Sequence, residues 1–300
     1  MPTVEHTAEA FAKANGIQLC WDSFGDPDDP PLLLIMGLAS QMIAWDEEFC
    51  ARIAARGYRV VRFDNRDIGR STRFTEAGIP DVGAAMMAAL RGEPVPAAPY
   101  TLQDMANDAI GLLDALGIDR AHVVGASMGG AIAQTMAIQS PARLRTVTSI
   151  MATTGAPGLP PPTPAALAVL FKPAPADEAA YIESYAQTWK VLRAGSFPEE
   201  ESRDPERARR LFARGLNPAG VSRQLAAIFA SGSRQAALRS VRVPLLVIHG
   251  EADPLVPLAC GVDTANSVPG AKIKTIPGMG HALPRSVWPP VIDAIAAHAH

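Results

Sequence analysis

The feature that most constrains this chain is a repeated switch between two hydrophobic periods. Short, nearly continuous apolar runs occur at residues 32–36 (LLLIM), 58–63, 121–125 (AHVVG) and 144–151. Runs that short, without polar alternation, fit strands covered on both faces. An alternating stretch at residues 17–24 precedes them and predicts an early strand. Between the runs, residues 43–56, 102–116 and 128–139 carry apolar side chains at helical spacing. Met105, Ala109, Leu112, Leu113 and Leu116 make the clearest stripe, stopped by Gly117. The order β-α-β-α-β implies an α/β fold, a parallel sheet with helices on both faces. Right-handed crossovers then put the functional loops at the carboxyl ends of the strands.

The alternation breaks at residue 155. Residues 155–164 (GAPGLPPPTP) hold five prolines and two glycines and cannot form regular helix or central strand. From there to about residue 240 the pattern is helical. Tyr181, Tyr185, Trp189 and Leu192 form one stripe, and Val221, Leu225, Ile228 and Phe229 another. Strand chemistry resumes at 243–248 and 272–276, and a final helix is predicted at about 287–298. The chain therefore divides into a first core part (1–154), a helical cap insertion (155–240) and a second core part (241–300). Residues 91–99 mark a shorter, Pro-rich loop. Within the insertion, residues 199–214 mix Arg203, Arg207, Arg209, Arg210 and Arg214 with Glu199, Glu200, Glu201, Asp204 and Glu206. Mixed signs at that density predict a solvated, salt-bridged face rather than an anion-binding patch.

Composition excludes other classes. The 27 basic and 30 acidic residues leave a formal net charge of −3, without the basic excess a nucleic-acid surface needs. Cys20, Cys50 and Cys260 are an odd, widely spaced set that forms neither a disulfide framework nor a metal cluster. The start of the chain, MPTVEHTAEAFAKANG, lacks the basic and apolar regions of a secretory signal, and no apolar stretch is long enough to span a bilayer. The expectation is a soluble, cytoplasmic protein with no nucleic-acid or membrane partner.

Gly125-Ala126-Ser127-Met128-Gly129 lies between a predicted strand and a predicted helix. A serine at such a turn is held in a strained backbone with its hydroxyl above the sheet, at a helix N-terminus that favours developing negative charge. A serine hydroxyl needs a base to become a nucleophile. Of the histidines at 6, 122, 249, 281, 298 and 300, those at 6, 298 and 300 lie near the chain ends and are expected in solvent. His122 starts the strand leading to Ser127, at the wrong end. His249 closes the 243–248 run and reads as a packed residue. His281, in Gly278-Met279-Gly280-His281, follows the last predicted strand on the functional side and is favoured as the base, with His249 second. An imidazole that must become imidazolium needs a carboxylate. Asp253 in HGEADPLVP is preferred over Glu251 from its loop position before Pro254. The order Ser127, Asp253, His281 is that of nucleophile-elbow hydrolases. One oxyanion donor is the Met128 N–H by construction; the Leu38 N–H, after Gly37, is the expected second. Asp64, Arg66 and Asp67 are read as loop-fixing residues rather than a metal or acid–base group.

The segments LLLIMGLAS, YRVVRFDNRDIGRST, HVVGASMGG, LLVIHGEADPLVP and GMGH resemble the α/β-hydrolase superfamily. They look most like its bacterial carboxylesterase branch related to aclacinomycin methylesterase. The resemblance implies an eight-stranded, mostly parallel sheet, no cofactor, and a triad that falls on Ser127, Asp253 and His281, with Leu38 and Met128 as oxyanion donors. Met36-Gly37 stands where many relatives have His-Gly. The substrate expected is a small-molecule ester, of short- to medium-chain acids or methyl esters. Met36, Met42, Trp189, Leu192, Phe229 and Met279 are expected to line its pocket. A C–C bond hydrolase or a cofactor-free perhydrolase could use the same triad, and the fold can also serve as a ligand receptor with an idle triad.

Overall fold

The computed structural model describes residues 4–300. In chain order its elements are strands β1 (Ala10–Ala14), β2 (Ile17–Phe24) and β3 (Pro31–Ile35), helix α1 (Glu47–Ala54), β4 (Arg59–Phe63), α2 (Val82–Arg91), α3 (Leu102–Ala115), β5 (Ala121–Ala126), α4 (Met128–Gln139) and β6 (Leu144–Ile150). Then come α5 (Pro164–Leu170), α6 (Glu178–Leu192), α7 (Asp204–Ala213), α8 (Pro218–Ala230) and α9 (Gln235–Leu238). β7 (Leu245–Gly250), α10 (Leu258–Ser267), β8 (Lys272–Ile276) and α11 (Trp288–Ala299) complete the chain. Among the described residues no helix is long and apolar enough to cross a membrane.

The strands form one eight-stranded sheet in the order β1-β2-β4-β3-β5-β6-β7-β8. β1 and β2 are antiparallel to their neighbours; all pairings from β4 to β8 are parallel. Continuous apolar runs make this possible, because alternate side chains feed two different cores. Leu33, Ile35, Val123, Val147 and Val247 join a core against α3 and α4. Leu32, Leu34, Val124, Ile150 and Ile248 join a core on the other face, against Phe49 and Ile53 of α1 and Trp288, Val291 and Ile295 of α11.

The element boundaries depart from the sequence reading in three places. The helix expected from residue 43 begins at Glu47. There the Asp46 side chain accepts the Glu48 N–H, and Met42–Ala44 form a separate 3-10 turn. The strand expected at 243 begins at Leu245, since Pro244 has no N–H for a ladder. β1 was not foreseen: it is an edge strand in which exposed Phe11 and Lys13 alternate with partly buried Ala10 and Ala12, so no continuous buried apolar run betrays it.

The charged stretch at 199–214 is salt-bridged as expected, but only part of it is solvated: Glu199, Glu201, Glu206, Arg209 and Arg210 are exposed. Glu200 and Asp204 are buried. Arg193 pairs with Asp204, and Arg207 with Glu200. Arg209 stays on its own helix with Glu206, while three arginines reach across to the sheet domain: Arg203 to Asp46, Arg210 to Glu47, and Arg214 to Asp64 and Glu9. Farther along, Arg223 of α8 meets Asp67 with two hydrogen bonds, 2.7 and 2.8 Å, both side chains almost wholly buried. The inserted helices are thus bolted to the loop after β4 by charge pairs. Asp64 accepts the Met42 and Arg70 N–H groups as well, and Arg66 grips Asp108 bidentately.

Burial alone would raise the Asp67 carboxyl, but Arg223, the Phe74 amide and the Tyr100 hydroxyl outweigh it and hold it below its ordinary value near 3.8. A carboxyl depressed in the fold contributes stability above that ordinary value and loses it as pH falls through the depressed one. Asp67→Asn leaves Arg223 buried without its anion, which should cost about 3–5 kcal/mol at pH 7. In denaturant titrations the gap between wild type and variant should hold steady from pH 7 to about pH 5 and narrow as pH falls below about 4. A gap that stays constant with pH would contradict the pairing.

Candidate active site

Ser127 sits at the turn from β5 into α4 with φ 55° and ψ −120°. That conformation is strained for any residue with a Cβ and persists only where its surroundings enforce it. The enforcement comes from close packing on both sides of the turn. A Cβ added at Gly129 would lie 2.1 Å from the Ile35 carbonyl oxygen, and one at Gly125 would lie 2.0 Å from the Gly129 carbonyl oxygen. The Ser127 N–H donates to the Ile150 carbonyl at 2.9 Å, tying the turn to β6. The hydroxyl is left half-open above the carboxyl edge of the sheet.

The structure brings His281 and Asp253 to this hydroxyl. Asp253 lies in the loop after β7 and His281 in the loop after β8, and both are buried. His281 Nδ1 is 2.8 Å from Asp253 Oδ2. A carboxylate only accepts, so Nδ1 carries the proton. Nε2 then presents its lone pair 2.9 Å from Ser127 Oγ. The other carboxylate oxygen, Oδ1, accepts the Leu255 and Val256 N–H groups at 2.9 and 2.8 Å. Glu251 is exposed and accepts from the Thr275 hydroxyl, away from the imidazole.

Two amides complete the arrangement. Met128 is the first residue of α4, where N–H groups have no intrahelical partner. The loop after β3 passes directly over the serine: a Cβ on Gly37 would stand 3.1 Å from both the Ala126 carbonyl oxygen and Ser127 Cβ. Among the described residues, neither the Leu38 nor the Met128 N–H donates to a protein acceptor. The loop is braced by Asn65, whose amide donates to the Met36 carbonyl, and by Gln224, whose oxygen accepts the Ala39 N–H and whose nitrogen donates to the Arg66 carbonyl. Neither Asn65 nor Gln224 was found from sequence; a lone amide on a helix or after a strand carries no signal there.

A cavity of about 110 Å³ adjoins the serine and histidine, reaching Ala126 and Ala282, their chain neighbours. Met36 and Trp189 line it as expected, with Trp45, Phe49, Met151, Tyr185, Leu283 and Trp288. Met42, Leu192, Phe229 and Met279 do not. Met42 and Met279 are completely buried in the sheet domain. Leu192 contributes its backbone instead: its carbonyl accepts the His281 N–H at 2.7 Å, so the end of α6 fixes the histidine loop. Phe229 lies on α8, whose inward face is carried by residues 223–227, which leaves it only half-buried.

The other polar candidates are engaged elsewhere. His6 is exposed as expected, though it also stacks on Phe24 and bonds Asp22 at 2.9 Å. His298 contacts the Val147 and Pro244 carbonyls. His122 bonds the Thr146 hydroxyl. Cys20, Cys50 and Cys260 are buried free thiols, and burial pushes those of Cys20 and Cys50 up to about 12, far from a reactive thiolate. Among the described residues no group of His, Cys, Asp and Glu is placed to hold a metal ion.

Comparison with known proteins agrees with this fold. The α/β hydrolase fold profile matches residues 30–284. Rhodomycin D methylesterase DauP of Streptomyces sp. (strain C5) is 33% identical, covering 94% of this chain and 95% of the relative. A 2-hydroxymuconate semialdehyde hydrolase of Pseudomonas sp. (strain CF600) is 26% identical over 84% of this chain and 80% of its own. A crystal structure of a hydrolase from Pseudomonas aeruginosa PA01 superposes with a TM-score of 0.69 at 25% identity, covering 97% of each chain.

Removing the Ser127 Cβ relieves the strain of this turn. Ser127→Gly should be more stable than Ser127→Ala by about 1–2 kcal/mol in chemical denaturation. The usual order, glycine below alanine, is the outcome that would refute a strained turn.

Proposed function

This chain belongs to the α/β hydrolase fold family, and within it we propose a carboxylic ester hydrolase that works through an acyl-enzyme on Ser127. The observation that carries the reading is the Ser127–His281–Asp253 line of hydrogen bonds, 2.9 and 2.8 Å long, beside a cavity whose lining includes Ala126 and Ala282. His281 Nε2 takes the Ser127 proton as Oγ attacks the ester carbonyl. Asp253 stabilises the imidazolium that forms. The Leu38 and Met128 N–H groups receive the oxyanion, and losing one such donor generally costs about 3–4 kcal/mol. His281 then protonates the leaving alcohol, and in the second half activates water to release the acid.

The cavity lining combines aromatic and thioether side chains, which suit an apolar acyl group, with the charged Asp46, Arg193, Glu200, Arg207 and Arg210. The alcohol side is read as small. The methylesterase relative supports that, and short- to medium-chain or methyl esters are the proposed substrates. A C–C bond hydrolase is the second reading, supported by the semialdehyde hydrolase relative. The buried free thiols suit a reducing compartment, and the cytoplasm is the proposed one.

The test is a panel of nitrophenyl esters of graded acyl length and of methyl esters, run beside a dienone C–C substrate and a peracid assay. Wild type should cleave esters with the highest kcat/KM. Ser127→Ala should lose at least about a thousandfold in kcat while folding normally. Wild-type rates in that variant would end the serine assignment. Dienone cleavage exceeding ester cleavage would favour the second reading. Tight ligand binding without turnover would favour a receptor.

A further inference from the structure

His249, the fifth residue of β7, is wholly buried and lies behind Asp253, and the proposed chemistry does not use it. Its Nε2 is 2.8 Å from the Val256 carbonyl oxygen. A carbonyl only accepts, so Nε2 bears the proton. The same nitrogen is 3.7 Å from Asp253 Oδ2, the oxygen that receives His281 Nδ1–H. Nδ1 is therefore unprotonated, and it is buried without a hydrogen-bond partner. An orphaned acceptor in a dry interior is unfavourable, and an aliphatic side chain would avoid it. Space has nonetheless been reserved for the ring: a Cβ at Gly261 of α10 would fall 2.3 Å from Nδ1. The useful end of His249 is the Nε2–H.

Resting on the triad reading above, we propose that His249 is the positioning residue for Asp253. Its Nε2–H holds the Val256 carbonyl. The N–H of Val256, in the preceding peptide unit, donates to Asp253 Oδ1 alongside that of Leu255. The carboxylate is thereby turned so that Oδ2 meets His281. The partial positive charge of Nε2–H also lies close to Oδ2. The ionisable groups that bear on the ring are Asp253 and His281. Burial holds the imidazole below its ordinary value, so it stays neutral and does not compete with His281 for the carboxylate.

The test compares His249→Leu, His249→Gln and His249→Asn in the full chain. A glutamine amide nitrogen falls near the Nε2 position, whereas an asparagine amide falls near Nδ1. Loss of the donor in the Leu variant should lower kcat about tenfold to a hundredfold with KM unchanged, the scale of misplaced supporting groups. The acid limb of its pH–rate profile should move to lower pH, because a displaced carboxylate stabilises the imidazolium less. The downfield proton resonance of His281 Nδ1–H should move or vanish. His249→Gln should recover most of the rate and the resonance, and His249→Asn should not. A Leu variant with wild-type kcat, pH profile and resonance would overturn the proposal. If the Leu variant does not fold, equal rates in the Gln and Asn variants would overturn it. The resonance and the rate of Ser127 labelling by a fluorophosphonate need no ester substrate. A wild type that labels but cleaves no ester therefore refutes the esterase reading and leaves the His249 test intact.

Discussion

The arrangement depends on one steric fact: the chain turns from β5 into α4 in fewer residues than relaxed backbone allows. Strand β3, the turn and the first turn of α4 approach so closely that glycines at 125 and 129 leave no room for a methyl group. The residue between them must adopt a positive φ. That strain lifts the hydroxyl out of the sheet plane and aims the Met128 amide at the same space. A serine in a relaxed strand would point into one of the two cores, where no base could reach it.

The inserted helices do more than roof the site. Their Arg203, Arg210, Arg214 and Arg223 end on carboxylates of the sheet domain, and buried pairs such as Arg223–Asp67 are strongly unfavourable to break singly. They also touch the site twice through hydrogen bonds: the Leu192 carbonyl holds the His281 backbone, and Gln224 holds the Ala39 amide beside the loop over Ser127. Substrate selectivity and the position of the base therefore share one support. A substitution in α6 that shifts its last turn would be felt at His281 before it was felt in the pocket wall.

Much of this was legible in the residues. The parallel strands announced themselves because burial on both faces requires unbroken apolar runs, as in LLLIM and AHVVG. The elbow was legible because only small residues tolerate such crowding. The pocket was much less so. Met42, Leu192, Phe229 and Met279 are apolar residues at plausible positions, yet three of them are core or backbone braces and one faces elsewhere. Helical periodicity identifies which face is buried, but not whether it is buried against a core or a cavity. The charged stretch at 199–214 misled in part, for a related reason. Alternating signs look alike whether the partners are neighbours in a helix or carboxylates a hundred and more residues away.

The sequence by itself determined the class of fold, the strained serine and the order of residues around it, since these follow from local sterics and from periodicity along the chain. Only the tertiary structure decided which carboxylate and which imidazole meet that serine, which amides brace the neighbouring loop, and that His249 stands behind Asp253. Those relations join residues far apart in the chain, and distances between them exist only once the sheet has brought its strand ends together.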